Sequence, residues 1–239
     1  MKATIPVLLE DPAFLVVDKP AGFLVIPDRY DVLAPVVSTR LEDAYGALMT
    51  VHRLDKDTSG ALIYARNPEA HAALSKAFES RAVEKAYRAV VLGEPEWDET
   101  VCEIPLAPDA DPMHRTVADS ANGKPSRTRF KVLGRYGKYT LVEARPETGR
   151  THQIRVHLKA LGHPVACDRL YGDGRPVKLS AFKRKWRGDE FDEKPLLSRV
   201  GLHAWSLAFP HPATLARVEV EAPYPRDLRA LSAQLEKLK

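Results

Sequence analysis

The chain has 239 residues, 44% of them apolar and 28% charged, proportions that fit a folded globular protein and argue against intrinsic disorder. Its formal charge of +4, from 36 basic and 32 acidic side chains, is too small to identify a nucleic-acid partner by itself. The two cysteines, Cys102 and Cys167, stand in no metal-ligand spacing and exclude a disulfide framework. Prolines and acids interrupt the N-terminus where a signal peptide needs an apolar run, and no apolar stretch is long enough to span a bilayer.

Phe14 to Val17 predict a short buried strand, closed by a turn in KPAG. A less regular stretch runs to about Met49. It is followed by the polar loop VHRLDKDTSG and by a strand in ALIYARN. Asn67 and Pro68 have the form of a helix start, a capping side chain followed by proline at the first helical position. Ala70, Leu74, Ala77, Phe78 and Arg81 then recur at helical spacing. Lys85 to Leu92 predict a strand, and SRTRFKVL and KYTLVEARP a hairpin about Gly134 to Gly137. In THQIRVHLKALG, Ile154, Leu158 and Leu161 form a helical stripe that Gly162 ends. Val218 and Val220 alternate in a late strand. Strands outnumber helices without alternating strictly with them. That predicts an α+β fold, a mixed and mostly antiparallel central sheet with flanking helices and loops, as one domain over 1–239. Residues 178–194, dense in both charges, read as an exposed insertion.

HRLDKDTSG, residues 52–60, carries the most chemistry. Asp55 and Asp57 stand among His52, Arg53 and Lys56, and a nearby cation keeps a carboxylate ionised and fit to act as nucleophile or base. From the charge pattern alone the plainer reading is a turn in which Asp55 caps backbone amides. His52, His152 and His157 do not make a metal site, because His152 and His157 are five apart and do not share a helix face. Metal-ligand clusters and a phosphate-cradling glycine loop are both missing.

The order of residues in HRLDKDTSG resembles the active-site signature of the RluA-type pseudouridine synthases, HRLD-x-x-TSG. DKPAG at 18–22, EKAYRAVVLG at 84–93, RPETGRTHQIRVHLKALGHPV at 145–165, the D-x-x-YG match from Asp168 to Gly172 and LHA at 202–204 resemble further motifs of that family, in family order. The resemblance implies a pseudouridine synthase catalytic domain that isomerises a uridine in structured RNA, a stem-loop of tRNA, of 23S-type large-subunit rRNA, or of both. It implies the short form of the family, without an S4-type RNA-binding domain before DKPAG.

On the matched positions, Asp55 is the essential carboxylate, which either attacks the ribose C1′ or removes a 2′ proton. Tyr87 is the active-site tyrosine that stacks on uracil and assists at C5. Arg155 is the active-site arginine, placed to pair with Asp55. Arg53 fills the space left by an extruded uridine. Arg150 and Leu202 bind substrate, Leu202 as an apolar contact to the base. The family reaction implies no cofactor, metal or ATP, and the expected protein is a cytoplasmic monomer with RNA as its partner. Arg145, Arg150, Arg155 and Lys159 form one cationic group and Lys183, Arg184, Lys185 and Arg187 around Trp186 a second, both suited to phosphates. In the second, Asp189, Glu190, Asp192 and Glu193 leave a solvated charged loop as an equal reading. Three other functions compete: a non-catalytic RNA-binding module of the same fold, a glycoside hydrolase using Asp55 and Asp57, and a metal-dependent nuclease.

Overall fold

A computed structural model of the chain describes residues 5–28, 33–111, 115–183, 186–189 and 191–238. In chain order the elements are β1 (Val7–Glu10), β2 (Phe14–Lys19), α1 (Val37–Tyr45), β3 (Met49–Thr50), β4 (Ser59–Ala65), α2 (Pro68–Glu79), β5 (Glu84–Leu92), β6 (Glu99–Cys102), β7 (Leu106–Ala107), β8 (Val117–Ala118), β9 (Thr128–Arg135), β10 (Tyr139–Pro146), α3 (Gln153–Ala160), β11 (Leu202–Pro210), β12 (Arg217–Glu221) and α4 (Arg226–Leu235). Two compact units share them. One comprises Met1–Tyr87 with His203–Pro223, the other Arg88–Leu202 with Tyr224–Lys239.

In the first unit, β2 pairs antiparallel with β1 and with β4, and β4 continues through a parallel pairing to β11, which pairs antiparallel with β12. Side chains alternate faces along a strand. Phe14 and Val16 of β2 therefore join Ala61, Ile63 and Ala65 of β4 in one core, which α2 covers with Ala70, Leu74 and Ala77. Leu15 and Val17 join Leu62 and Tyr64 in a second core on the opposite face, with Val37 and Leu41 of α1. With both faces covered, residues 14–17 of β2 and 61–65 of β4 read as apolar runs without alternation. The expected cap of α2 is present: the Asn67 side chain accepts the Ala70 amide at 2.8 Å, with Pro68 opening the helix. The predicted apolar face is shorter than expected, because α2 stops at Glu79 and Arg81 lies beyond it at φ 62°.

In the second unit, β9 and β10 form the expected hairpin, closed by the Tyr136 amide on the Tyr139 carbonyl and by Gly137 at positive φ. β6 lies antiparallel on β9, and β5 runs beside β10. Leu228, Leu231 and Leu235 of α4 pack with Val90, Tyr136, Tyr139, Val177 and Leu197. The 178–194 segment opens and closes at a bridge between buried Val177 and Leu197. The Glu193 carboxylate accepts both the Ser180 amide and hydroxyl, at 2.8 and 2.6 Å. Arg184, Lys185 and Glu190 lie outside the described residues.

The α+β class holds. α1 and α4 come without a prediction. The clearest departure is α3, expected as an amphipathic helix with a stripe at Ile154, Leu158 and Leu161. Gln153 to Leu158 are all buried, while Leu161 is only half-buried.

Candidate active site

In the first unit the HRLDKDTSG segment is held from both sides of Asp55. Leu54 is buried in the core with Phe23, Leu62 and Tyr64. The Asp55 carbonyl accepts the Thr58 amide at 3.1 Å, which closes the turn. The next carbonyl, that of Lys56, accepts the Gly22 amide at 2.8 Å and the Lys19 ammonium at 3.0 Å. Lys19 is fully buried, and its Nζ also donates to the Pro20 carbonyl at 3.0 Å. A lysine is tolerated there only because backbone carbonyls replace its water. The DKPAG turn is thus a clamp on the residue after Asp55, a role that sequence reading did not assign to Lys19.

Downstream, Ser59 and Gly60 begin β4, whose register sets His203 opposite Ser59 and Ala204 opposite Gly60. The Ser59 hydroxyl bonds His203 Nδ1 at 2.9 Å, and His203 Nε2 meets the Ala222 carbonyl at 3.1 Å. A carbonyl only accepts, so Nε2 carries the proton and Nδ1 accepts from Ser59. Gly60 has φ 115°, and a Cβ there would meet the Ala204 amide nitrogen at 2.7 Å.

Asp55 is half-buried, whereas Arg53, Lys56 and Asp57 are exposed. Tyr87, near the end of the first unit's part of β5, is half-buried against the Leu54 core. Its hydroxyl is pushed above the ordinary tyrosine range, first by burial and second by the charge of Asp55. Asp55 and Tyr87, separated by 32 positions in sequence, are therefore electrostatic neighbours, and Tyr87 is a neutral phenol at neutral pH. His52 faces inward: its Nε2 accepts the Ile63 amide at 3.1 Å and its ring stacks on Phe78 at 4.6 Å. Burial, helped by the Lys85 cation, lowers its pKa to about 3. His52 is a neutral structural support.

In the second unit Arg155 is buried, and its guanidinium forks onto Asp168: Nε to Oδ2 at 2.7 Å and Nη2 to Oδ1 at 2.9 Å. Burial alone would raise the Asp168 pKa, but the bonds and charge of Arg155, with the Leu170 and Tyr171 amides, hold it below the usual carboxylate range. The other polar side chains of α3 are matched as well. Gln153 accepts from the Thr148 hydroxyl and the Arg150 amide and donates to the Arg127 carbonyl and the Thr128 hydroxyl. His157 bonds Thr128 Oγ1 and the Ile104 carbonyl, both at 3.0 Å. These partners explain why Gln153 to Leu158 are all buried although three of them are polar.

The four cations expected to act together around α3 each meet a partner within the protein. Arg155 is buried on Asp168, and Arg145 pairs with Glu143 at 2.7 Å. Arg150 is half-buried, with Nε and Nη2 on the Pro125 carbonyl at 3.3 Å, and Lys159 lies over the Tyr171 ring at 6.0 Å. Leu202 is 3% exposed. Of the insertion's described residues, Lys183 and Arg187 are exposed, and Phe191 is 98% exposed. Among the described residues no three or more His, Cys, Asp or Glu side chains stand together as a metal site, and no helix is long and apolar enough to cross a membrane.

A model of the family described as RNA pseudouridylate synthase matches residues 13–160. The ribosomal large subunit pseudouridine synthase D of Nitrosomonas europaea is 38% identical over 238 residues, 97% of this chain and 65% of that protein. The chain therefore spans just under two thirds of that relative's length. The dual-specificity RNA pseudouridine synthase RluA of Vibrio vulnificus is 36% identical over 213 residues, 86% of this chain and 78% of its own length. Among solved structures, human RNA Pseudouridylate Synthase Domain Containing 1 is 30% identical with a TM-score of 0.72, over 93% of this chain and 84% of that one. The matched segment contains both the clamped Asp55 turn and its neighbour Tyr87, and with relatives aligned along nearly its whole length this chain belongs to the RNA pseudouridylate synthase family.

Proposed function

We propose that this chain isomerises a specific uridine in structured RNA to pseudouridine, with large-subunit rRNA as the first substrate to test and tRNA as the second. Relatives whose printed names specify the ribosomal large subunit, and one named dual-specificity, support that order. The observation that carries the reading is the Asp55 turn, held by hydrogen bonds at its own main-chain carbonyl and at that of Lys56, with the charge of Asp55 adding to burial in raising the Tyr87 pKa. An ionised Asp55 either attacks C1′ of the ribose or takes the 2′ proton. The N-glycosidic bond then breaks, the uracil turns over, C5 bonds to C1′, and the C5 proton leaves. Tyr87 enters as a neutral ring that stacks on the base and donates a hydrogen bond, rather than as a tyrosinate base. Arg155 acts at the same uridine, an assignment that rests on the motif RTHQIRVH. Leu202 supplies apolar contact to the base and Arg150 a contact to the RNA. The protein works as a monomer in the cytoplasm, without metal or cofactor.

The deciding assay uses rRNA and tRNA transcripts carrying C5-tritiated uridine. The parent releases tritium without cutting the strand, and Asp55→Asn slows release by roughly 1000-fold or more while still binding RNA. A folded, RNA-binding Asp55→Asn variant that works at the parental rate sinks the reading. RNA binding without tritium release by the parent would favour a non-catalytic binding module.

Arg53 is exposed two residues before Asp55, where it can enter the space left by an extruded base. Arg53→Ala should slow the reaction on a folded stem-loop about tenfold more than on an unstructured RNA with the same target, since extrusion costs a few kcal/mol only where the base is stacked. Equal losses on both substrates would reduce Arg53 to a phosphate contact.

A further inference from the structure

Arginine has a long, flexible side chain, and a guanidinium that must meet a reacting group needs its direction set by something else. On the reading that Arg155 acts at the uridine, we propose that Asp168 and Tyr171 are positioning residues that aim its guanidinium. Asp168 is fully buried, and its carboxylate is itself immobilised. Oδ1 accepts the Leu170 amide at 2.9 Å and the Tyr171 amide at 3.1 Å, and the Asp168 carbonyl accepts the Gly172 amide at 2.9 Å. Gly172 leaves room for this turn, since a Cβ there would meet the Val165 carbonyl oxygen at 2.9 Å. Both oxygens of that fixed carboxylate then take the Nε edge of Arg155, so the Nη1 edge points away from Asp168.

Tyr171 supplies the second restraint. Its ring lies 5.0 Å from the centre of the Arg155 guanidinium. The far end of the ring is pinned, because the hydroxyl accepts the Thr116 amide at 2.9 Å and bonds His152 Nδ1 at 2.9 Å. His152, at φ 53°, is the cap residue immediately before α3. One tyrosine thus ties the start of the helix to the platform under its arginine. The ion pair also balances the charge of Arg155. It makes the arginine a directed hydrogen-bond donor and spares the fold an uncompensated buried cation.

The test uses the full chain and the tritium-release assay on an rRNA stem-loop, with thermal melting of every variant. Asp168→Asn keeps the Oδ1 acceptor but faces Nε with a second donor. Its kcat should fall on the order of 100-fold with KM within about twofold. Arg155→Lys should lose kcat similarly. Adding Asp168→Asn to Arg155→Lys should cost little more, because no fork is left to aim. A purely structural pair would instead multiply the two losses and follow the melting temperature. A folded Asp168→Asn with parental kcat, or full additivity in the double variant, overturns the proposal. If Asp168→Asn does not fold, Tyr171→Leu decides against Tyr171→Phe. The leucine removes the ring as well as the hydroxyl and should be several-fold slower, and equal kcat values overturn the proposal. If Arg155→Lys alone keeps parental kcat in an active preparation, the assignment of Arg155 fails and the proposal fails with it. If only the Asp168 and Tyr171 variants are unaffected, that assignment stands and the aiming role is rejected.

Discussion

His52 shows how one residue of a catalytic signature serves structure. The folded protein keeps it neutral down to about pH 3, whereas the unfolded chain protonates it below 6.5. As pH falls between those values, the unfolded state binds more protons, so stability is lost; it is complete only above 6.5. His157, whose pKa burial also lowers, acts in the same direction. The parent should lose about 2 kcal/mol through His52 between pH 7.5 and 5. Urea unfolding at the two pH values checks this, with His52→Gln expected to lose most of the difference. An unchanged pH dependence in His52→Gln would place the effect elsewhere. Tyr87 shows the converse, a residue of the expected site whose hydroxyl burial and the nearby charge of Asp55 both keep protonated.

The strand β4 depends on one backbone position more than on any side chain. Gly60 combines φ 115° with a close approach to Ala204 of β11, and it sits immediately after Ser59, which holds His203. Gly60→Ala should destabilise the protein by about 3 kcal/mol, from overpacking and backbone strain together. Gly149→Ala, with no atom within 4 Å of the added Cβ, should change stability by about 0.5 kcal/mol or less. Denaturant midpoints of the two variants settle the comparison, and similar losses would deny the close approach. α3 makes a related point. Its stripe was legible, but the burial of Gln153, Arg155 and His157 was not, because their partners lie on β9, in the Asp168 turn and at Ile104.

Taken over all 239 residues the charge of +4 says little, because many cations are already matched. Arg127 pairs with Glu103 and Glu147, Arg129 with Glu147, Lys131 with Glu99 and Arg145 with Glu143. Phosphate contacts should therefore come from exposed cations such as Arg187 and not from Arg155. Plotting RNA affinity against salt, Arg187→Ala should reduce the magnitude of the logarithmic slope by about one, whereas Arg155→Lys should leave it unchanged. A reduced slope for Arg155→Lys would mean that its guanidinium meets phosphate.

The amino-acid order alone carried the α+β class, the capped start of α2, the hairpin at Gly137 and the segment around Asp55. Each of these is written in neighbouring residues through strand alternation, turn chemistry or a motif with fixed spacing. α4 was also open to reading, since Leu228, Leu231 and Leu235 keep helical spacing. α1 offered less, with no side-chain cap and only Val37 and Leu41 buried. Tertiary structure decided what the charged groups do. It placed the Lys19 ammonium on the Lys56 carbonyl, 37 positions away, set Ser59 on His203, 144 positions away, and gave Arg155 to Asp168. A buried polar group is stable only with a partner, and chain folding selects that partner from residues that no local pattern links.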